Sequence, residues 1–561
     1  MSSGVKAEEK PDTLIWRLLL ICIFLSAAVF RLLRIEAKEV WLDEVMTWHY
    51  AKQPWSEVVR FVSENDVHPP LHFLFTKIFL VFGDGAFALR IGTVLLELMA
   101  LPLIYWAAFS LAPKERKHMA GLVAMVLAAS SGAMIVTGLL ARSYAGLYLS
   151  FTVCFACLSW LATHKEAASI SIFNAQGARA RLCYGGMALG LAGMAWLHNL
   201  GLLYCAAVGL IAIAIWLFIL DRNAAAFTNF LVAAGIALLL YLPQLATLLT
   251  QLNSVSSEYW VPQPRLSGLI RSVLQVFGQS PALDKTSIVE IGLATFICFV
   301  GLFATLSLFR QRNWTALFLT IGLLAAVYGL FLLVTYGVKP VLLNRAVFPM
   351  LAPWFVLLAL GVVALPKLGQ RWVLATGLTS ILLFAAAQVT DNFHWRGRML
   401  QRVVQDAQST PTLITVPNSA SIMLNYHAQQ LGLSVNTVPL PAPYPDHAEG
   451  SYFATGWPGV PAVNDRALET IEATLANHSE DVWLYLRGYW IYDPDALLKP
   501  YLDHGYCYQP IDDIPGKLDM LFKLTPRDAL ASGECDDMGN DEYFPYIRPK
   551  YGRFSLLELS P

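Results

Sequence analysis

The densest group of residues able to do chemistry lies between Ile35 and Gly85. It opens with Trp41-Leu42-Asp43-Glu44 and continues to His68-Pro69-Pro70-Leu71. A short apolar stretch ending in Phe82-Gly83 follows, and then Ala86-Phe87-Ala88-Leu89-Arg90. Two adjacent carboxylates beside a membrane segment are costly unless something pairs or uses them. A carboxylate so placed suits removal of a proton from an attacking hydroxyl. Taken alone, Asp43-Glu44 is equally an accidental pair on a solvated loop. His68-Pro69-Pro70 is equally a rigid turn, since consecutive prolines fix an extended backbone. His68 at that junction suits metal binding, proton transfer or a turn hydrogen bond. Further along stand Arg142 and Tyr144, His198, Lys339 and Arg345, each at the edge of an apolar run. Arginine forks match phosphate oxygens, although snorkelling at the interface is the alternative for each cation. For Tyr144 and His198 the alternatives are a sugar pocket and an interfacial aromatic belt.

Other chemistries find less support. No His/Cys/Asp cluster has zinc spacing, and no glycine loop cradles a phosphate. Cys154 and Cys157 form a C-x-x-C spacing, but inside an apolar run where thiols act as small hydrophobes. Cys22, Cys183, Cys205 and Cys298 read the same way. Only Cys507 and Cys535 lie outside the apolar region, and whether they pair stays open. Asn477-His478-Ser479 is a glycosylation acceptor only in a eukaryotic secretory setting.

The elements that must position these residues follow from composition. The chain has 561 residues, of which 56% are hydrophobic and 14% charged; a soluble protein has roughly 25% charged. Its formal net charge of -1 provides no basic field for nucleic acid. Runs long enough to cross a bilayer, roughly 20 residues, begin near Leu14, Ala86, Met119, Ala145, Leu182, Leu202, Ala224, Ser287, Trp314, Ala346 and Trp372. The first, Leu14 to Leu33, follows a polar segment with Lys6 and Lys10 and lacks a small-residue cleavage site, so it reads as a retained helix. Pro70 to Phe82 is too short to span and reads as interfacial or re-entrant. The remaining loops then sort by charge. Lys114, Arg116, Lys117, Lys165, Arg179, Arg181, Arg222, Arg310, Arg312, Lys367 and Arg371 fall on the inner side, against Arg142, Lys339 and Arg345 outside.

From Asp391 the composition becomes that of a soluble domain. Leu413 to Val416, Asp481 to Leu486 and Leu518 to Leu524 read as strands. The stretch after Asn418-Ser419 to Leu431 and Asp495 to His504 read as helices. Alternating strands and helices predict a small α/β layer domain. Ser532 to Pro561 reads as irregular. A second outer loop, Thr250 to Thr286, carries Glu258 and Tyr259-Trp260-Val261-Pro262, which suit closing over a lipid-linked donor or resting at the interface.

Taken in order, these motifs resemble the GT-C glycosyltransferases that include the protein O-mannosyltransferases and the bacterial lipid A aminoarabinose transferases. The resemblance rests on Asp43-Glu44, His68-Pro69-Pro70-Leu71, Ala86 to Arg90, Ala141-Arg142-Ser143-Tyr144, Leu197-His198-Asn199 and Asn344-Arg345 with Pro349 and Pro353. It covers residues 14 to 390. Asn199 and Ala346 depart from it, standing where relatives carry an aromatic, which bears on substrate specificity more than on reaction class.

The resemblance implies a polytopic helical GT-C domain over residues 1–390, with about eleven transmembrane helices. Residues 34–85 form its first outer loop, with interfacial helices, and residues 391–561 an extracytoplasmic α/β domain. It implies an inverting transfer of a sugar from a polyprenyl-phosphate donor to a cell-surface glycan, lipid or protein. Asp43 is then the base, and Glu44 orients Asp43 or the acceptor. His68, Arg90, Arg142, Tyr144, His198, Lys339 and Arg345 bind donor phosphate or sugar. No cofactor beyond the donor is implied and no metal site, with metal dependence left open. The expected partners are the lipid-linked sugar, its acceptor and membrane lipids, not nucleic acid. The expected location is a bacterial inner membrane, with the N-terminus cytoplasmic and the C-terminal domain periplasmic. The rival reading from the residues is a transporter or flippase of the same lipids, although no internal repeat or paired broken helix is visible. A phospho-group transferase would want a metal cluster and nucleophile in the soluble part, and the sequence there displays neither.

Overall fold

A computed structural model describes residues 13–174, 177–257, 263–278, 288–367, 395–444, 463–477, 482–488, 493, 497–510 and 519–527. The span expected from Trp372, the aromatic loop Glu258 to Pro262, His478, Cys535, the tail Ser532 to Pro561 and the 390/391 domain boundary lie outside these residues. The helices are α1 (Thr13–Arg34), α2 (Leu42–Lys52), α3 (Trp55–Asn65), α4 (Leu71–Phe79), α5 (Ala86–Leu111), α6 (Lys117–Ser130), α7 (Gly132–Gly138) and α8 (Tyr144–Thr163). After them come α9 (Ala178–Leu197), α10 (Gly201–Phe218), α11 (Ala224–Ser257), α12 (Leu266–Val276), α13 (Ile288–Arg310), α14 (Trp314–Gly337) and α15 (Asn344–Ala364).

Among the described residues seven helices are long and apolar enough to cross a membrane, and eight if the bent pair α6–α7 is one span. The chain is a multi-pass membrane protein. Helix α9 starts at the expected place, but its first turn carries Arg179 and Arg181 and it is not among those seven. Only Ala294–Arg310 of α13 stands out as an apolar segment, shorter than a full span. The segment at Pro70 forms the short helix α4, capped by a 3₁₀ turn over Leu80–Phe82.

Two features of the helical body position the turn that carries Ala141 and Arg142. Helix α1 has a buried arginine, Arg31, which forms a two-pronged ion pair with Glu97 of α5. The fork also donates to the Ala129 carbonyl at 3.1 Å, close to where α6 ends. There the Ser130-Ser131-Gly132 sequence interrupts the helix, Ser131 Oγ accepts the Met134 N–H, and the chain bends by 62° into α7. Thr93 on α5 donates to the Gly138 carbonyl at 2.8 Å and satisfies the far end of α7. The bend thus delivers the Ala141 turn to the level of Glu44 at the start of α2.

The C-terminal domain is α/β as expected, with helices α16 (Trp395–Asp406), α17 (Ser419–Leu431), α18 (Asp465–Asn477) and α19 (Leu498–Gly505). Its five-stranded sheet has the order β2-β1-β3-β5-β4, where β1 is Thr412–Val416, β2 Asn436–Pro439, β3 Val482–Arg487, β4 Tyr506–Pro510 and β5 Asp519–Pro526. The β2, β1 and β3 strands run parallel, and β5 lies antiparallel to both its neighbours, β3 and β4. The sheet is covered on both faces, so β1 and β3 read as continuous apolar runs. Edge strands β2 and β4 were not expected from the sequence, because short edge strands of mixed composition carry no alternation signal. Cys507 on β4 is disulfide-bonded.

One sheet face, with Leu413, Trp483, Tyr485 and Leu521, shares a core with α16, α17 and Val40, Val45, Leu89 and Ala141 of the membrane domain. The other packs Ile414, Val416, Leu484, Leu486 and Phe522 on α18 and α19. The C-terminal domain and the segment from Ile35 to Gly85 therefore lie on the same side of the helical body.

Candidate active site

Asp43 and Glu44 occupy the first turn of α2, where the helix dipole favours negative charge. They are next to each other in the chain and have opposite environments. Glu44 is fully buried and accepts from Arg90 Nε at 2.8 Å, Arg90 Nη2 at 2.7 Å, Ala141 N at 2.9 Å and Trp41 N at 3.3 Å. Arg90 spends its other donors on the carbonyls of Ile35, Lys38 and Glu39 at 2.9, 2.7 and 3.2 Å. Together the pair ties the entry to α2, the start of α5 and the Ala141 turn into one joint. Asp43 keeps a side chain 31% exposed, with Arg345 Nη1 at 3.6 Å from Oδ2.

Around Asp43 the fold gathers residues widely separated in sequence. Arg142 Nη1 donates to the Asp43 carbonyl at 3.4 Å, and its Nη2 lies 3.5 Å from His68 Nε2. The His68 and His198 rings meet edge to face at 4.8 Å, and His198 lies 5.8 Å from Tyr144. The Arg345 guanidinium sits over the Tyr144 ring at 5.9 Å. Six of the residues singled out in the sequence, Asp43, His68, Arg142, Tyr144, His198 and Arg345, thus form one cluster, with Glu44 and Arg90 buried behind it. Lys339 is half-buried on the segment that precedes Arg345, its backbone N–H bonded to the Val334 carbonyl at 2.9 Å. Among the described residues no contact joins its ammonium to the cluster, and none of their His, Cys, Asp and Glu side chains group as a metal-binding set.

The structure adds residues that the sequence did not single out. Asp66 Oδ1 accepts from His68 Nδ1 at 2.6 Å and from the His68 backbone N–H at 2.8 Å. Those two bonds orient the His68 ring and leave its Nε2 facing Arg142 Nη2. Burial raises the Asp66 carboxyl, but His68 and Arg142 outweigh it and hold the carboxyl below its ordinary value. Gln251 of α11 donates to the Asp66 carbonyl at 2.9 Å, and Asn199 donates to both the Val67 carbonyl at 2.8 Å and Gln251 Oε1 at 2.9 Å. Asn199 is here a clamp on the Asp66–His68 turn. The Asp-x-His spacing before the two prolines was a usable signal; Gln251, at the end of a long apolar helix, gave none.

Two arginines, Arg142 and Arg345, offset two carboxylates, Asp43 and Asp66, in the cluster. Burial, reinforced by His68, Arg142 and Arg345, pushes the His198 imidazole well below its ordinary value, so it is neutral at pH 7. Burial likewise drives His72 on α4 down to about 3. Linkage gives the sign of the consequence. Below about pH 6.5 the unfolded chain takes up protons that native His72 refuses, so stability falls with pH down to about 3, where the folded group titrates. The midpoint of thermal unfolding is expected to drop between pH 7.5 and 5, and to drop less for His72→Gln. Equal slopes for the two proteins in a fluorimetric melt series would refute the assignment.

A partly exposed carboxylate beside two guanidinium groups at one end of a helical body has the chemistry to take up a proton and to hold an anion. The architecture around it is the GT-C glycosyltransferase fold. ArnT from Cupriavidus metallidurans in the apo state superposes with a TM-score of 0.57 at 11% identity, covering 91% of this chain and 98% of that one. The same protein bound to undecaprenyl phosphate gives a TM-score of 0.53 at 11% identity, covering 90% and 97%. The apo oligosaccharyltransferase of Archaeoglobus fulgidus aligns less closely, with a TM-score of 0.43 at 10% identity over 91% and 74%. No family model matches the chain, and no curated protein matches it in sequence.

Proposed function

We propose that this protein is an inverting glycosyltransferase that takes a sugar from a polyprenyl-phosphate donor at the outer face of a bacterial inner membrane. The acceptor is the hydroxyl of a cell-surface glycan or lipid, with a protein as the less favoured acceptor. The observation that carries the reading is the Asp43 carboxylate at 3.6 Å from Arg345, with Arg142 held on the Asp43 backbone carbonyl. In a single displacement the acceptor oxygen attacks the anomeric carbon and its proton passes to the Asp43 carboxylate. The bond from that carbon to the donor phosphate breaks with its electron pair on oxygen, and polyprenyl phosphate leaves as a monoester. Arg345 and Arg142 face the charge that grows there, which is where electrostatic stabilisation is worth most. His68, His198 and Tyr144 stand beside the two arginines, where they suit contact with the sugar. The basic inner loops support a cytoplasmic N-terminus and a periplasmic C-terminal domain.

The test uses purified protein in nanodiscs with membrane lipid extract, following release of polyprenyl phosphate by mass spectrometry. Flipping of the lipid-linked sugar without release would replace this reading with a transporter. Within the assay, Arg345→Gln is expected to lower kcat/KM by about 10²-fold. Arg345→Lys is expected to recover little, because an ammonium lacks the two-pronged fork. Full activity of Arg345→Gln would move the phosphate site elsewhere.

A further inference from the structure

A buried ladder of charges runs from the C-terminal sheet to the helix that carries Asp43. At its far end Asp519 on β5 accepts from Tyr485 Oη at 2.6 Å and Arg487 Nη1 at 2.7 Å. Its other oxygen faces Arg396 Nη2 at 3.4 Å. Arg396, in the first turn of α16, reaches Glu39 Oε2 through both its backbone N–H and Nη1 at 3.3 Å. Glu39 Oε1 accepts the Gly397 N–H at 2.9 Å, with His427 Nδ1 at 4.0 Å. The Glu39 carboxylate therefore caps the N-terminus of α16, where the helix dipole favours it. The backbone carbonyl of this same Glu39 is the one that Arg90 holds at 3.2 Å, and Arg90 holds Glu44.

Arg396 is 7% exposed, Asp519 7% and Arg90 2%. Buried ion pairs are an expensive way to dock two domains, since apolar contacts of similar volume commonly do as well or better. Here an apolar contact is already present, through Val40, Val45, Leu89 and Ala141 against Trp395, Met399 and Leu400. What apolar packing lacks is direction. The ladder fixes Glu39 from two sides, and Glu39 lies two residues before Trp41, which caps the start of α2.

We infer that the C-terminal domain is a working part of the transfer site, and that Arg396 is a positioning residue which sets Asp43 through Glu39 and the entry to α2. The inference deepens the transferase reading and rests on it for its consequence in turnover. A displacement of about 1 Å at a reacting group is enough to cost 10-fold or more in rate.

The test compares full-length wild type and Arg396→Gln in nanodiscs by two measurements. Hydrogen exchange reports α2 directly, and donor titration separates kcat from KM. Arg396→Gln is expected to raise exchange at the α2 amides and to lower kcat by about 10-fold, with donor KM changed less than twofold. Arg396→Lys, which keeps the charge, is expected to recover part of the kcat. Unchanged α2 exchange, or a loss that falls on KM alone, overturns the proposal. If the wild type releases no polyprenyl phosphate the transferase reading fails, and the exchange arm still decides whether Arg396 sets α2. Should Arg396→Gln not fold, Asp519→Asn at the far end of the ladder is expected to shift α2 exchange in the same direction; no shift there counts against the proposal.

Discussion

Asp43→Asn is expected to lower turnover by about 10³-fold while leaving the fold intact. The amide is isosteric with the carboxylate but takes no proton, and a positioned general base contributes roughly 10²- to 10⁴-fold. The side chain is 31% exposed and its ion pair to Arg345 spans 3.6 Å, a geometry worth no more than about 1 kcal/mol near the surface. Helix α2 keeps its N-terminal charge from Glu44. The unfolding midpoint should therefore stay within a degree or two of wild type, and activity and stability separate cleanly. Release of polyprenyl phosphate, measured alongside a melt of the same sample, decides it. Retention of even a tenth of wild-type turnover would remove Asp43 from the role of base.

Glu44→Ala is expected to do the reverse of its neighbour's substitution and destabilise the protein by about 3–5 kcal/mol, because one partner of a fully buried ion pair is left uncompensated. Four donors converge on that carboxylate, from Arg90, Ala141 and Trp41. Its removal strands the Arg90 guanidinium and a buried backbone N–H, and each orphaned polar group carries its own penalty. Glu44→Leu combined with Arg90→Met, which removes both charges, should recover only part of the loss. The carbonyls of Ile35, Lys38 and Glu39 would still lack their donor. Melting in detergent reads all three proteins. A Glu44→Ala melt indistinguishable from wild type would mean that the joint between α2 and α5 does not depend on this pair.

Much of the architecture was legible before any coordinates. Apolar runs of bilayer length force helices, since a lipid-facing backbone must satisfy its own hydrogen bonds. The 13 residues from Pro70 to Phe82 were too few to cross, and they form a short helix. The strands around Leu413, Val482 and Leu521 announced themselves by short runs rich in β-branched, aromatic and other apolar side chains, and the first two are buried along their whole length or nearly so. The first outer loop also stood out, because carboxylates beside a membrane are rare without a purpose.

The sequence alone determined that this chain crosses a membrane repeatedly, that an α/β domain follows, and that acidic, histidine and arginine residues recur at one level of the helical body. Tertiary structure decided how those residues divide their roles. Asp43 and Glu44 are consecutive and chemically alike, yet consecutive residues on a helix point about 100° apart. Packing turned Glu44 toward Arg90, 46 positions away, and left Asp43 facing Arg345. Asp66, Gln251 and Arg396 went unremarked for the same reason. Their partners are His68, the Asp66–His68 turn and Glu39, and for Arg396 the separation is 357 positions. A local pattern records the period of a helix or strand. Which charge meets which across such distances is set only when the elements pack.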